Sequence, residues 1–137
     1  MIAPELVTAR SGPAWRSRLV TGLGLLTILH GAIHMMAPAD IWDLAEFEQE
    51  VSPSVEFGGA ALDALAVGWT ITALILAFAG VMLLLRRPSW SIPALTGVAV
   101  SQALIVLWWG SAWVGTIPNA LILLGVVLDR RLRLTAR

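Results

Sequence analysis

Long apolar runs separated by short polar segments dominate the chain and predict four membrane-crossing helices. The predicted spans cover residues 19–37, 60–85, 92–109 and 112–128. Runs of about 17 to 26 residues rise roughly 25 to 39 Å as α-helices, close to or beyond the ~30 Å of a hydrocarbon core. The pattern therefore predicts an all-α integral membrane protein, a four-transmembrane-helix bundle that forms a single membrane domain over residues 1–137.

The segment between the first two spans is acidic and carries a weaker helical pattern. Asp40 can cap a short helix whose apolar side includes Ile41, Leu44 and Phe47. Trp42 suits the headgroup layer of a membrane. We therefore expect a short interfacial helix in the first outer loop.

The first apolar run has a rival interpretation as a cleaved signal peptide. Basic residues precede the run, and Ala37-Pro38-Ala39 at its end resembles a cleavage site. However, the run is longer than the roughly 7 to 15 apolar residues of a signal peptide, and it contains His30 and His34. We predict that it is retained as a membrane helix.

Composition and charge support membrane insertion and predict its direction. The chain is 58% hydrophobic and 13% charged, whereas soluble domains are about 25% charged. Its nine basic residues are all arginine, and all flank the spans on the side of the two termini. Because positive charge in short loops favours the cytoplasm, we predict a multi-pass protein of the cell inner (plasma) membrane with both termini cytoplasmic.

Composition also excludes several classes of function. The chain has no cysteine, which excludes disulfide exchange, thiolate catalysis and thiolate metal ligation. Its basic residues form only short flanks, so we expect no nucleic-acid partner. The lipid bilayer is the expected partner, with a homo-oligomer or a partner membrane subunit left open. No cofactor is expected, and the two histidines on one helix face cannot supply both axial ligands of one haem.

Strongly polar side chains gather in the outer half of the predicted bundle. They are His30, His34, Asp63, Gln102 and Asn119, with Ser101 and Thr116 in the same layer. A strongly polar side chain in hydrocarbon costs about 2.5 to 3.5 kcal/mol, so these residues are expected to face one another. We predict that the five line one outward-facing pocket and bind a ligand there.

The same residues allow other interpretations. Gln102 and Asn119 can act as interhelical hydrogen-bonding groups without any ligand. His30 and His34, four residues apart, can chelate a metal ion with Asp63 as third ligand, or hydrogen-bond to the backbone or to Asp63. They can also relay or sense protons, because imidazole titrates near pH 6.5. The sequence leaves a metal site undecided.

Three short motifs carry a resemblance to a known group of proteins. They are His30-Gly-x-x-His34, Ser101-Gln-x-Leu-Ile and Gly115-Thr-Ile-x-Asn119. The combination resembles small, largely uncharacterised four-span bacterial membrane proteins, and the overall layout is similar to DoxX-like four-helix membrane proteins. Small multidrug transporters need a membrane Glu in the first span and quinone-linked thiol oxidoreductases need cysteines, and both features are absent from this sequence.

Three hypotheses for function follow from these patterns. The leading one is an outward-facing polar pocket that binds, or transports, a small molecule or ion. The second is a non-catalytic accessory or assembly subunit of a membrane complex, whose polar residues only hold helices together. The third is a small membrane enzyme that uses His30 or His34 as general acid or base with Asp63 as partner.

Overall fold

The computed structural model describes residues 13–47 and 52–132, and all regular secondary structure in these ranges is helical. The helices are α1 (Ala14–Ile33), α2 (Met36–Ile41), α3 (Gly59–Leu84), α4 (Ser91–Leu107), α5 (Trp109–Ala112) and α6 (Thr116–Leu132), with 3₁₀ turns at Pro88–Trp90 and Trp113–Gly115. Four described segments are long and apolar enough to cross a membrane: Ala14–Ile41, Gly59–Leu84, Pro88–Leu107 and Trp109–Leu132. The predicted all-α fold with four membrane-length helical segments is confirmed.

Three prolines lie in the first turns of helices. Pro38, Pro93 and Pro118 each occupy the third residue of a helix. A residue without an N–H is tolerated there, because amides of the first turn have no acceptor within the helix. Within the first apolar run, Pro38 cannot donate to the carbonyl of His34, and its ring clashes with that carbonyl. Helix α1 therefore ends at Ile33, earlier than predicted, and the chain restarts as α2 after a short turn.

The expected interfacial helix is displaced towards the N-terminus. Asp40 lies in the last turn of α2 and does not cap it, while residues 42–47 form no helix. Helix α2 ends where Asp43 adopts a left-handed φ of 52° and Leu44 N–H donates to the Ala39 carbonyl at 2.8 Å. The prediction was wrong in position because Pro38, rather than Asp40, sets the start of this helix.

Helices α1 and α3 pack antiparallel with their backbones in close approach. Gly24 of α1 lies against Gly80 of α3, and Gly31, later in α1, lies against Ala73, earlier in α3. A Cβ atom added to Gly31 would come within 2.7 Å of the Ala73 carbonyl oxygen. Glycine is required at this crossing because no side chain fits between the two backbones.

The antiparallel order gives the bundle two distinct ends. We call the end where α1 and α4 begin and α3 and α6 finish the arginine end, and the opposite end the histidine end. At the arginine end, Trp90 Nε1 donates to Asp129 Oδ2 at 2.7 Å. At the histidine end, the last turn of α1 meets the first turn of α6 through His30 and Asn119.

Two buried apolar clusters divide the interior between these ends. The cluster towards the arginine end is the larger one and contains Val20, Leu76, Ala79, Leu83, Trp90, Ala94, Val98, Ile122 and Val126. The cluster at the histidine end contains Ala37, Trp69, Leu104, Ile105 and Trp108. The second cluster packs next to the candidate site.

Candidate functional site

His34 lies directly after α1, at the turn that Pro38 imposes. The side chain is 3% exposed. Its Nδ1 lies 2.8 Å from the backbone carbonyl oxygen of His30, and its Nε2 lies 2.8 Å from Ser101 Oγ on α4. Both ring nitrogens are hydrogen-bonded, so the ring is held in one orientation between α1 and α4.

Asn119 connects the histidines to the other polar side chains of this layer. It lies in the first turn of α6 and its Oδ1 is 2.9 Å from His30 Nε2. Its Nδ2 donates to Ser101 Oγ at 2.9 Å and to Gln102 Oε1 at 3.1 Å, and Gln102 Nε2 donates to Thr116 Oγ1 at 3.1 Å. These side chains form one hydrogen-bonded group, which we call the polar network: His30, His34, Ser101, Gln102, Thr116 and Asn119.

The polar network unites the three motifs that stand out in the sequence. Its members come from residues 30–34, 101–105 and 115–119, which lie on α1, α4 and α6 or at their ends. Positions far apart in the chain thus meet at one level of the bundle. The expectation that polar side chains of this layer face one another is met by four of the five predicted site residues.

A cavity of about 500 Å³ lies beside the two histidines. Its lining comprises His30, Ile33, His34, Met36, Ala37, Phe47, Trp69, Ile105, Ser111, Ala112, Val114, Gly115 and Pro118. Most of this wall is apolar, and its polar side chains are the two imidazoles and the Ser111 hydroxyl. The expected polar pocket is therefore an apolar cavity with imidazoles in its wall.

Trp69 is a cavity residue that the sequence analysis missed. It is 4% exposed, and its ring centroid lies 4.9 Å from that of His34. On its other side it meets Trp108 edge-on at 5.6 Å, and Trp108 in turn stacks on Phe57 at 6.2 Å. Its position offered a signal, because tryptophans of membrane helices gather near the interfaces whereas residue 69 lies well inside the predicted span.

No protein-family model, curated protein or solved structure matches this chain. The resemblance of the three motifs to small four-span membrane proteins therefore stays a prediction.

Gln102 and Asn119 lie behind the cavity wall and are not part of its lining. With Thr116 they border a separate groove of about 390 Å³ between α4 and α6. The predicted single cavity is therefore wrong for these two residues, because their side chains point between α4 and α6 and reach the histidines only through hydrogen bonds. Their contribution is to hold the imidazoles in place.

Asp63 does not join the other predicted site residues. Its side chain is exposed in the first turns of α3, where its Oδ1 accepts a hydrogen bond from Trp42 Nε1 at 3.2 Å. The early start and end of α2 bring Trp42 alongside α3, which gives the carboxylate a partner at the rim of the bundle. Among residues 13–47 and 52–132, no group of three His, Cys, Asp or Glu side chains is placed to hold a metal ion. The three candidate metal ligands therefore do not converge.

The contact between His34 and Ser101 has the length of a base and nucleophile pair. Ser101 is fully buried and is not part of the cavity lining. A substrate in the cavity could not reach its hydroxyl without a rearrangement of α4. The pair therefore serves to orient His34.

Proposed function

We propose that this protein resides in a membrane and binds a small, largely apolar molecule in the cavity beside His30 and His34. The observation that carries the proposal is an apolar cavity of about 500 Å³ whose imidazoles are held in place by the polar network. Ligand sites are commonly cavities of about 300 to 1,000 Å³ with mainly apolar walls and a few fixed polar groups. Fixed polar groups give such a cavity its selectivity.

A small, largely apolar molecule fits the chemistry of this cavity better than an ion does. Hard cations need several oxygen ligands and zinc needs three or four nitrogen, sulfur or oxygen ligands. The wall offers two imidazoles, and both nitrogens of His34 already have hydrogen-bond partners. We therefore favour binding of a molecule over binding or transport of an ion.

We further propose that the histidine end faces outward from the inner (plasma) membrane. The described arginines Arg16, Arg18, Arg86, Arg87, Arg130 and Arg131 all belong to the arginine end, whereas Asp40, Asp43, Glu46, Glu56 and Asp63 belong to the histidine end. This separation supports cytoplasmic termini by the positive-inside rule. The terminal residues 1–12 and 133–137 themselves lie outside the described residues.

Cysteine labelling tests the orientation, since the native chain has no cysteine. Single cysteines at Ser54 and Ser89, both exposed, sit at the histidine and arginine ends respectively. A membrane-impermeant maleimide added to intact cells should label only the Ser54→Cys variant. Labelling of Ser89→Cys instead would reverse the proposed orientation.

A cavity-filling variant tests whether the cavity holds a ligand. Ala112→Phe places a ring in the cavity wall, and Ala103→Phe, on an exposed face of α4 outside the lining, is the matched control. Native mass spectrometry of protein extracted in native-membrane nanodiscs should show a small molecule on the wild-type and Ala103→Phe proteins. The Ala112→Phe protein should lack that molecule. Equal small-molecule content in all three proteins would contradict ligand binding in this cavity.

The groove between α4 and α6 favours the accessory-subunit hypothesis as second candidate. Gln102 and Thr116 border this groove and are only half-buried, which is costly if they face lipid. A helix of a partner subunit, or of a second copy, would cover them. Cross-linking from a cysteine at Ala99, within the groove, should trap such a helix in membranes, while a cysteine at Leu74 on the exposed face of α3 should not.

A further inference from the structure

The backbone carbonyl of His30 determines the donor and acceptor roles of the hydrogen bonds around the two histidines. The backbone carbonyl of His30 can only accept, so His34 Nδ1, 2.8 Å away, must carry a proton. No carboxylate of the described residues contacts either imidazole, so the buried rings are neutral, because an unpaired buried charge is costly. A neutral imidazole has one N–H, which leaves His34 Nε2 as an acceptor.

The donor and acceptor roles of the Ser101 hydroxyl depend on those of His34 and affect those of Asn119. Its single proton is shared between two candidate acceptors, His34 Nε2 at 2.8 Å and Asn119 Oδ1 at 3.2 Å. The unprotonated His34 Nε2 has no other donor, so Ser101 donates to it. In the structure the amide nitrogen of Asn119 lies closer to Ser101 Oγ than the amide oxygen does, at 2.9 Å against 3.2 Å, so Ser101 Oγ accepts from Asn119 Nδ2.

These donor and acceptor roles also determine the protonation of His30. With its nitrogen turned to Ser101 and Gln102, Asn119 presents Oδ1 to His30 Nε2 at 2.9 Å. An amide oxygen only accepts, so His30 carries its proton on Nε2 and a lone pair on Nδ1. His30 and His34 are therefore opposite tautomers, and His30 Nδ1 makes no hydrogen bond with any residue in 13–47 or 52–132.

His30 Nδ1 is a hydrogen-bond acceptor that is available to a molecule bound in the cavity. His30 lines the cavity. Among the described residues, the fully buried side-chain nitrogens and oxygens without a hydrogen-bond partner are Arg16 Nε and Trp69 Nε1, so His30 Nδ1, which also lacks a partner, is accessible. The Ser111 hydroxyl is already near the Ser52 carbonyl at 3.2 Å. Trp69 Nε1 has no hydrogen-bond partner among the described residues, but it is shielded from the cavity surface.

We propose that the cavity selects a neutral aromatic molecule with a hydroxyl donor, of the phenol class, whose O–H bonds to His30 Nδ1 while its ring packs against Trp69 and Phe47. This inference rests on the proposed ligand-binding function and adds the chemistry of the ligand. A quinone, an ether or a carboxylate has only acceptors to offer and would leave the Nδ1 lone pair without a donor. Leaving such a buried acceptor unsatisfied weakens binding.

A matched pair of probes tests this selectivity without any mutation. 4-Butylphenol and 4-butylanisole differ in the replacement of the hydroxyl proton by a methyl group. Titration calorimetry on the full chain in nanodiscs should show the phenol binding about tenfold more tightly, the effect of one good hydrogen bond. The Ala112→Phe variant corrects for partition of both probes into lipid.

The outcomes separate the two proposals. Equal affinity of the two probes, with both lost in Ala112→Phe, would overturn the donor requirement and leave the binding function standing. Uptake of both probes that is identical in wild type and Ala112→Phe would overturn the binding function itself. His30→Phe, which retains a ring but has no acceptor, should abolish the preference for the phenol.

The tautomers can be observed directly because the chain contains only two histidines. In protein labelled with ¹⁵N-histidine, we expect one ring with its proton on Nε2 and the other with its proton on Nδ1. His30→Phe should remove the Nε2–H ring, and 4-butylphenol should shift the unprotonated Nδ1 of that ring. Two rings with the same tautomer, or a His30 protonated on Nδ1, would refute the proposed acceptor.

Discussion

The two ends of the bundle differ in how their buried polar side chains are hydrogen-bonded. At the arginine end, a fully buried Trp90 donates its one N–H to Asp129 at 2.7 Å, among the packed apolar side chains of the larger cluster. At the histidine end, six polar side chains bond to one another beside a cavity of about 500 Å³.

This difference bears on where function lies. Helices in lipid gain little from the hydrophobic effect between them, so close packing and hydrogen bonds hold them together. The arginine end is closely packed, whereas the histidine end has a cavity whose apolar lining gains dispersion contacts when a molecule binds there.

The largest expected effect comes from breaking the packed end. Trp90→Ala removes a fully buried indole and its bond to Asp129, and it should lower the free energy of unfolding by about 3 to 5 kcal/mol. Unfolding in detergent, followed by circular dichroism, measures the loss. Trp15→Ala, at a position that is 48% exposed, is the control and should stay within about 0.5 kcal/mol of wild type.

The same variant sharpens the comparison of the two ends. Folded Trp90→Ala protein should bind 4-butylphenol as wild type does, because Trp90 is at the end opposite to the cavity. If binding is lost while the helical content is retained, the two ends are coupled and the division proposed for them is wrong.

The next largest effect is expected at the crossing of α1 and α3. Gly31→Ala would force a Cβ within 2.7 Å of the Ala73 carbonyl oxygen, so the helices must separate at a cost of about 1 to 3 kcal/mol. Gly22→Ala, on the same helix with no neighbour within 4 Å, should be neutral or slightly stabilising, since alanine favours helix. Equal thermal stability of the two variants would contradict the close approach.

An effect no larger than that of Gly31→Ala is expected within the polar network. Asn119→Leu removes three hydrogen bonds, which at about 0.6 kcal/mol each in membrane helices amounts to roughly 2 kcal/mol. Because Asn119 and Ser101 share a bond, Asn119→Leu and Ser101→Ala should be non-additive by at least about 0.5 kcal/mol. Additive losses in a double-mutant cycle would show that the network does not act as a unit.

The apolar runs predicted most of the fold. Length and hydropathy are local properties, so four membrane-length segments could be read directly from the sequence. The break at His34 could not, because it depends on whether Pro38 ends one helix or begins the next. The close contact of Gly31 with α3 was also missed, since a glycine alone does not reveal which backbone approaches it.

Depth along the helices predicted part of the candidate site. It placed His30, His34, Gln102 and Asn119 in the same half of the bundle, where the structure joins them. Depth does not specify the direction of a side chain around its helix. For that reason Gln102 and Asn119 were assigned to the cavity although they lie behind it, and Asp63 was assigned to the site although it lies at the rim.

The smallest expected effect concerns Asp63, and it tests the boundary of the site. If the five predicted site residues lined one pocket, His34 and Asp63 would be neighbours and their alanine variants would be non-additive. In the structure, His34 bonds to the His30 carbonyl and to Ser101, whereas exposed Asp63 accepts one 3.2 Å bond from Trp42. Asp63→Ala should therefore change stability by no more than about 0.5 kcal/mol, and it should add to His34→Ala within about 0.3 to 0.5 kcal/mol. A larger coupling, measured by unfolding of the double variant in detergent, would return the carboxylate to the histidine site and reopen the possibility of a metal ion there.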